Sequence, residues 1–333
     1  MSNETSNTSS IGAAWPPATA SNERMRGFYP EAVASVQAAD ELIDQFIEAQ
    51  KTAEAHPTTT RMNMRVVVEN RIIPYLSHVL SLEGALPIAS TPDRSVVYIA
   101  WNDVNRQPTA DELTAHLDLI QKAQSREVST ASPYLELVHK GYTPRIIDDH
   151  MSETERRGYR DRFLELYGKF GFDETGVEEL LTSPNNTIAY IAGENETIIS
   201  TVMAERGTIP VLGQPNNTLT VIEITEAITD PGVRGKGLYR ALSGFLVQHI
   251  VDHHMVGEAP VDVVYGESNL SSPGVVVAAH RNGRRFATDD ASHLGVIDQP
   301  GFGILQQNVK VNDGVETRPY NDFVLTYQPI PTP

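Results

Sequence analysis

The sequence predicts a mixed α/β fold, an antiparallel-dominated sheet flanked by helices, preceded by a helix-rich N-terminal region. Three observations carry this expectation. Short apolar runs of strand length follow one another through the second half, at residues 187–192, 197–205, 219–229 and 261–266. Segments with apolar residues three and four apart alternate with them. A glycine-rich turn, Gly232 to Gly237, joins one such strand directly to one such helix.

Taken in order, residues 1–24 are rich in small polar residues and proline, a composition that buries too little apolar surface to offset ordering entropy, and are expected to form a flexible tail. Residues 25–140 are expected to be a helix-rich region without a chemical motif. Val33, Val36, Leu42, Ile43, Phe46 and Ile47 recur at helical spacing, residues 61–82 read as a second helix broken near Pro74, and residues 95–101 read as a short strand. Thr109 with Glu112 has the form of a capping box.

Residues 141–330 form the candidate functional domain. A strand is expected at 142–147, a helix capped by Ser152 and Glu155, another starting at Asp173, and then the run of strands. Asn216–Asn217 and Asn312 to Gly314 read as turns, the latter joining two closing strands at 302–311 and 320–327.

Composition narrows the function. The 333 residues are 40% hydrophobic and 21% charged, as in globular proteins. The densest apolar runs, at 66–68 and 275–279, fall far short of the roughly 20 residues that cross a bilayer, and the N-terminus lacks the basic-then-apolar order of a secretory signal, so the expected location is cytoplasmic. The absence of cysteine excludes disulfides, cysteine zinc sites and thiol nucleophiles. A net charge of −17 disfavours nucleic acid and anionic membranes as partners and suits a cationic small molecule, or serves solubility alone. His249, His253 and His254 suit a solvated helix end better than a metal, and no metal is expected.

The turn after strand 219–229 carries the chemistry. Asp230-Pro231-Gly232-Val233-Arg234-Gly235-Lys236-Gly237-Leu238 opens a helix whose residues Leu238, Ala241, Leu242, Phe245, Leu246 and Ile250 share one face. Consecutive main-chain amides at the positive end of a helix dipole make an anion site. A Walker loop fails because Gly237 follows Lys236, and a dinucleotide fingerprint fails because Arg240 stands where a third glycine is needed.

The arrangement resembles the pyrophosphate loop of the GNAT superfamily of N-acetyltransferases, with Gly232 departing from the Gln or Arg that opens the family's pattern. A second segment resembles it too: strand 261–266 leads through Glu267 and Ser268 to Asn269, and a helix from Pro273 ends at Gly283 before Phe286. A fainter likeness, in residues 221–237 and 321–327, is to beta-lysine N-acetyltransferase-like proteins. The resemblance covers about residues 142–327. It implies acetyl-CoA as acyl donor, bound by Val233, Arg234, Gly235, Lys236, Gly237 and Leu238, with Ala227 and Ile228 amides near the thioester and Asn269 at the second segment. Arg281, Arg284 and Arg285 are candidates for the 3′-phosphate or an exposed helix end.

The implied reaction, direct attack by an amine on the thioester in a ternary complex, needs a base. Glu226 and Glu223 lie on the lining strand, with Glu226 slightly favoured; a spacing of three puts them on opposite faces unless a bulge intervenes. Where the family often has a tyrosine acid, four residues before the helix-ending glycine, this chain has Ala279; Tyr265 and His280 are substitutes by proximity. Three functions stay open: an acetyltransferase for a small primary amine, a non-catalytic acyl-CoA sensor or scaffold, and a protein-modifying acetyltransferase. The N-terminal region is expected to shape the acceptor pocket or a homodimer interface.

Overall fold

The computed structural model describes residues 24–29, 31–55, 61–102, 109–211, 218–254, 261–296, 299, 302–307 and 321–330. Residues 1–23 of the expected N-terminal tail and the turns at Asn216–Asn217 and Asn312 to Gly314 lie outside the described residues, and Arg24, the last residue of that tail, opens a strand instead.

The first sheet comes from β1 (Arg24–Phe28), β2 (Arg61–Glu69), β3 (Leu82–Pro87) and β4 (Arg94–Asn102), in the order β1-β2-β4-β3, with β1 parallel to β2 and the rest antiparallel. Helix α1 (Val36–Ala55) lies against it, burying Leu42, Ile43 and Phe46 on Met62, Met64, Val66 and Val68. The helix expected over residues 61–82 is therefore corrected: its first half is strand β2, and only Ile73–Ser77 (α2) is α-helical. The sequence Arg-Met-Asn-Met-Arg-Val-Val-Val-Glu alternates with a period of two, and both strand faces are covered, so pairing with β1 and β4 outweighs the helical spacing that Ile72, Ile73, Leu76 and Leu80 suggest. The N-terminal region is thus a four-stranded sheet with helices, joined by α3 (Ala110–Gln124), whose capping box at Thr109 and Glu112 is present as expected.

The second sheet is mixed and mostly antiparallel, in the order β10-β12-β9-β8-β7-β6-β5, with β11 also on β12. Its elements are α4 (Pro133–His139), β5 (Pro144–Ile147), α5 (Glu153–Arg157), α6 (Arg160–Tyr167), α7 (Glu174–Thr182), β6 (Asn186–Ala192), β7 (Ile198–Pro210), β8 (Thr218–Thr229), α8 (Leu238–His254), β9 (Val263–Asn269), α9 (Pro273–Arg281), β10 (Arg285–Phe286), β11 (Ile304–Gln307) and β12 (Asn321–Gln328). The caps read at Ser152 and Asp173 hold α5 and α7.

Two layers cover this sheet. Leu238, Ala241, Leu242, Leu246 and Ile250 of α8 pack on Ala189, Val202, Ile222, Ile224 and Val264, and α9 and α3 continue the same cover over Phe286, Ile304 and Val324. The opposite face is shared. Phe163, Leu166 and Tyr167 of α6 and Val177 and Leu181 of α7 cover Ile188, Tyr190, Met203 and Ile228. The first sheet covers the rest, with Val67, Val96 and Tyr98 on Val221, Val263, Tyr265, Leu325 and Tyr327. Each such fully buried aliphatic or aromatic side chain contributes roughly 1.5–3 kcal/mol, so the first sheet is welded to the second.

Candidate active site

Strands β8 and β9 are parallel neighbours, but they pair only from Val221–Val263 to Ile224–Gly266. Beyond that rung they part. β8 continues with β7, and β9 continues with β12. The parting coincides with a bulge: Thr201 of β7 faces Ile228 and Met203 faces Thr225, so Glu226 and Ala227 together oppose Val202. Glu226 adopts φ +44°, a left-handed conformation that costs a non-glycine residue about 1–2 kcal/mol. It is held there in part by the Tyr167 hydroxyl, which donates to the Glu226 carbonyl at 3.2 Å.

Beside the gap, β8 ends in the glycine-rich turn. Asp230 accepts from the Gly232 amide at 2.8 Å and from Lys169 at 2.7 Å, which fixes the turn's entry. Gly235 and Gly237 take φ +79° and +75°, conformations open to glycine at no steric cost. A side chain at Gly235 would meet no atom within 4 Å and would project into open space. Helix α8 follows at once, leaving the first amides of its N-terminus outside its own hydrogen-bond ladder. Together these form one wall of a cleft of about 550 Å³; α9 forms the other, and Arg234, Arg240 and Arg281 supply its cations. Concave backbone, helix N-terminus and guanidinium groups fit a diphosphate.

The architecture is a mixed, mostly antiparallel sheet flanked by helices, the fold class expected from the sequence. No family model matches the chain, and no curated protein matches it. Among solved structures it is similar to NAA60 of Arabidopsis thaliana in complex with acetyl-CoA, at 14% identity over 56% of this chain and 97% of that one, with a TM-score of 0.36. It is also similar to the ribosomal-protein alanine N-acetyltransferase of Escherichia coli, at 13% identity over 56% of this chain and 94% of that one (TM-score 0.35). A third is an aminoglycoside acetyltransferase from an uncultured soil metagenomic sample, at 13% over 44% and 89%, with a TM-score of 0.31. Likenesses this distant carry no argument, and the fold rests on the strand order and pairing themselves.

The residues expected to bind coenzyme A divide. Ala227, Val233, Arg234, Gly235, Gly237 and Leu238 line the cleft. Ile228 is buried under α6 and α7, and the Lys236 carbonyl accepts from Lys140 at 2.9 Å. Asn269 turns its carboxamide oxygen back on Ser271, accepting from its amide at 2.8 Å and its hydroxyl at 2.7 Å, and so shapes the start of α9. Of the three arginines proposed for the 3′-phosphate, Arg281 lines the cleft, Arg284 is buried and donates to Ser243, and Arg285 sits in β10.

The bulge brings Glu226 and Glu223 together, which a regular strand would not do. Burial, reinforced by the Glu223 and Glu205 carboxylates, raises the Glu226 carboxyl above the ordinary glutamate range. Tyr265 faces the first sheet rather than the cleft, and its hydroxyl donates to Glu223 at 2.6 Å. His280 meets the Arg126 carbonyl at 2.9 Å and stacks on Phe286, and Ala279 is buried. The residues that sequence reasoning missed are Arg65, Tyr98, Glu205 and Glu267, which surround the Glu223–Tyr265 pair.

Proposed function

We propose that this chain is an acyl-CoA-dependent N-acyltransferase, in the first instance an N-acetyltransferase, acting on a small primary amine. The observation that carries the proposal is the parting of β8 and β9 beyond Ile224–Gly266, beside a glycine turn and helix N-terminus that line a basic cleft. The cleft takes the diphosphate, and the gap admits a thioester arm from the α8 side and an amine from the other.

The Glu226 carboxylate takes a proton from the ammonium form of the acceptor, and burial, by raising its pKa, makes it a stronger base for that task. The neutral amine nitrogen attacks the thioester carbonyl carbon, the exposed bulge at Ala227 offering its amide to the developing oxyanion. The carbon–sulfur bond breaks, the nitrogen gives up its second proton to solvent as the amide forms, and coenzyme A leaves as a thiolate that is protonated from solvent. Ala279 supplies no phenol for that step, and a thiol of pKa about 8.5 is a good enough leaving group to need none. The carboxylates on the acceptor face and the charge of −17 favour a cationic acceptor. The first sheet, packed over half of that face, favours a small molecule over a protein tail.

Purified full-length protein mixed with acetyl-CoA and a panel of amines, with mass detection of the acylated product, tests this reading. Product from one amine class is expected. Ala279 and Gly232 favour a second reading, a binding module without turnover; heat of binding with coenzyme A and no product from any amine would support that instead.

A further inference from the structure

The first sheet sends one charged side chain against the strand that carries the candidate base, and the reaction as written does not use it. On β2, Met62, Met64, Val66 and Val68 face α1, so Arg61, Asn63, Arg65 and Val67 face the second sheet. Val67 fills the apolar part of that contact. Arg65, one position up the same face, meets β9: its Nη1 donates to the Tyr265 hydroxyl at 2.9 Å, and its guanidinium lies 4.9 Å from the Tyr98 ring centre and 5.5 Å from that of Tyr265. The Tyr265 hydroxyl in turn donates to Glu223 Oε2 at 2.6 Å, and Arg65 Nη2 stands 4.0 Å from the same oxygen.

Burial opposes the charge on Arg65, but the carboxylates of Glu223 and Glu267 favour it, and the guanidinium stays protonated. Tyr265, raised chiefly by burial, keeps its proton and stays a donor. Among the described residues the Glu226 carboxylate has no hydrogen-bond partner. Of two carboxylates on one strand, one is tied and one is not. Stability alone does not account for Arg65: a buried ion pair is worth no more, and often less, than an apolar side chain of the same length.

We propose that Arg65 is a positioning residue of the transferase site, which through Tyr265 fixes Glu223, leaves Glu226 to accept the acceptor's proton, and makes the N-terminal sheet a wall of that site. This rests on the transferase reading. Arg65 touches neither acyl donor nor base, so it acts on kcat and on the pH profile while leaving the coenzyme A cleft on the other face untouched.

The test compares full-length wild type with Arg65→Met, Arg65→Lys and Tyr265→Phe, using acetyl-CoA and the amine found in the panel. For Arg65→Met, kcat is expected to fall by about 10–100-fold with the acetyl-CoA KM within about threefold, and the acid limb of kcat/KM to move, because Glu223, whose charge acts on Glu226, loses its anchor. Arg65→Lys restores the acid limb and part of kcat, since it keeps the charge but not the fork. Tyr265→Phe removes one oxygen from the link and lowers kcat in the same sense, and it decides the matter if Arg65→Met fails to fold. Wild-type kcat and profile in both Arg65→Met and Tyr265→Phe would overturn this proposal alone. A wild type that binds coenzyme A and acylates no amine overturns the transferase reading and takes this proposal with it.

Discussion

The two faces of the eight-stranded sheet are built from different materials. Under α8 and α9 the candidate site is main chain: amides of the turn, two glycines with positive φ, a helix N-terminus. On the other face it is side chain: Glu205, Glu223, Glu226, Tyr265 and Glu267, with Arg65 brought from a strand some 160 positions earlier than its Glu223 partner. A main-chain site tolerates drift in sequence as long as its glycines remain. A side-chain site is as specific as its residues, and here half of its cover belongs to the N-terminal sheet. On the proposed function, the difference divides labour: donor handling on one face, acceptor handling on the other.

That division can be broken by experiment. The largest expected effect is from Glu226→Gln, which should lower turnover by about 10²–10⁴-fold while leaving the coenzyme A affinity, measured by calorimetry, within about twofold. Equal losses in both would mean that the faces are not separate. Next is Glu83→Ala in the first sheet. Glu83 and Arg61 form a buried pair at 2.6 Å, and stripping Arg61 of its carboxylate should cost about 3–5 kcal/mol in denaturant unfolding. If the sheets fold as one, that loss appears in a single transition.

Smaller effects sharpen the contrast on the donor face. Gly235→Ala and Gly237→Ala force left-handed backbone on a residue with a Cβ, at about 1–2 kcal/mol each, so coenzyme A should bind roughly 5–30-fold more weakly. Gly237→Ala should be the worse, because its Cβ would stand 3.2 Å from Lys140 Nζ whereas that of Gly235 meets nothing. Turnover at saturating donor should be nearly unchanged.

The pH dependence follows from Glu226. Its folded-state pKa lies above the unfolded one, through burial first and then Glu223 and Glu205. The base must be ionised, so kcat/KM should fall as pH drops through a value above the ordinary glutamate pKa of about 4.3. The same shift means that ionised Glu226 destabilises the fold above its unfolded pKa, a penalty that fades as pH falls and the group protonates in both states. Glu226→Gln should therefore raise Tm at pH 7 by roughly 1–2 °C and by nothing near pH 3. A lower Tm at pH 7 would mean that the carboxylate is held by contacts stronger than its desolvation.

The donor face was legible in the sequence because its signals are local. The glycine turn, the apolar face of α8 and the Ser272–Pro273 entry into α9 each span fewer than twenty consecutive residues. The caps at Thr109, Ser152 and Asp173 were legible for the same reason. The bulge was foreseen only as a condition, since nothing in Glu-Ile-Thr-Glu announces a positive φ. The acceptor face was not legible. The helical spacing within residues 61–82 masks β2 and with it the place of Arg65 on a sheet, and β1 and β3 are short pieces that contain Gly or Pro and have no strong periodicity. One signal was available: Arg61, Asn63 and Arg65 at every second position of an apolar segment mark a polar stripe on a buried sheet face. What that stripe meets is a tertiary fact.

Helix α4 has a further consequence. Its Glu136 pairs with Arg240 and with Lys140, and Lys140 reaches the Lys236 carbonyl inside the glycine turn. The turn is thus propped from outside by a short segment that precedes the first strand of its own sheet. A fragment cut to start at residue 141 would keep every glycine of the loop and lose the prop beneath it. In the full-length chain Lys140→Ala, which removes only the prop, should loosen the grip on coenzyme A while the α3 contact with α9 is retained.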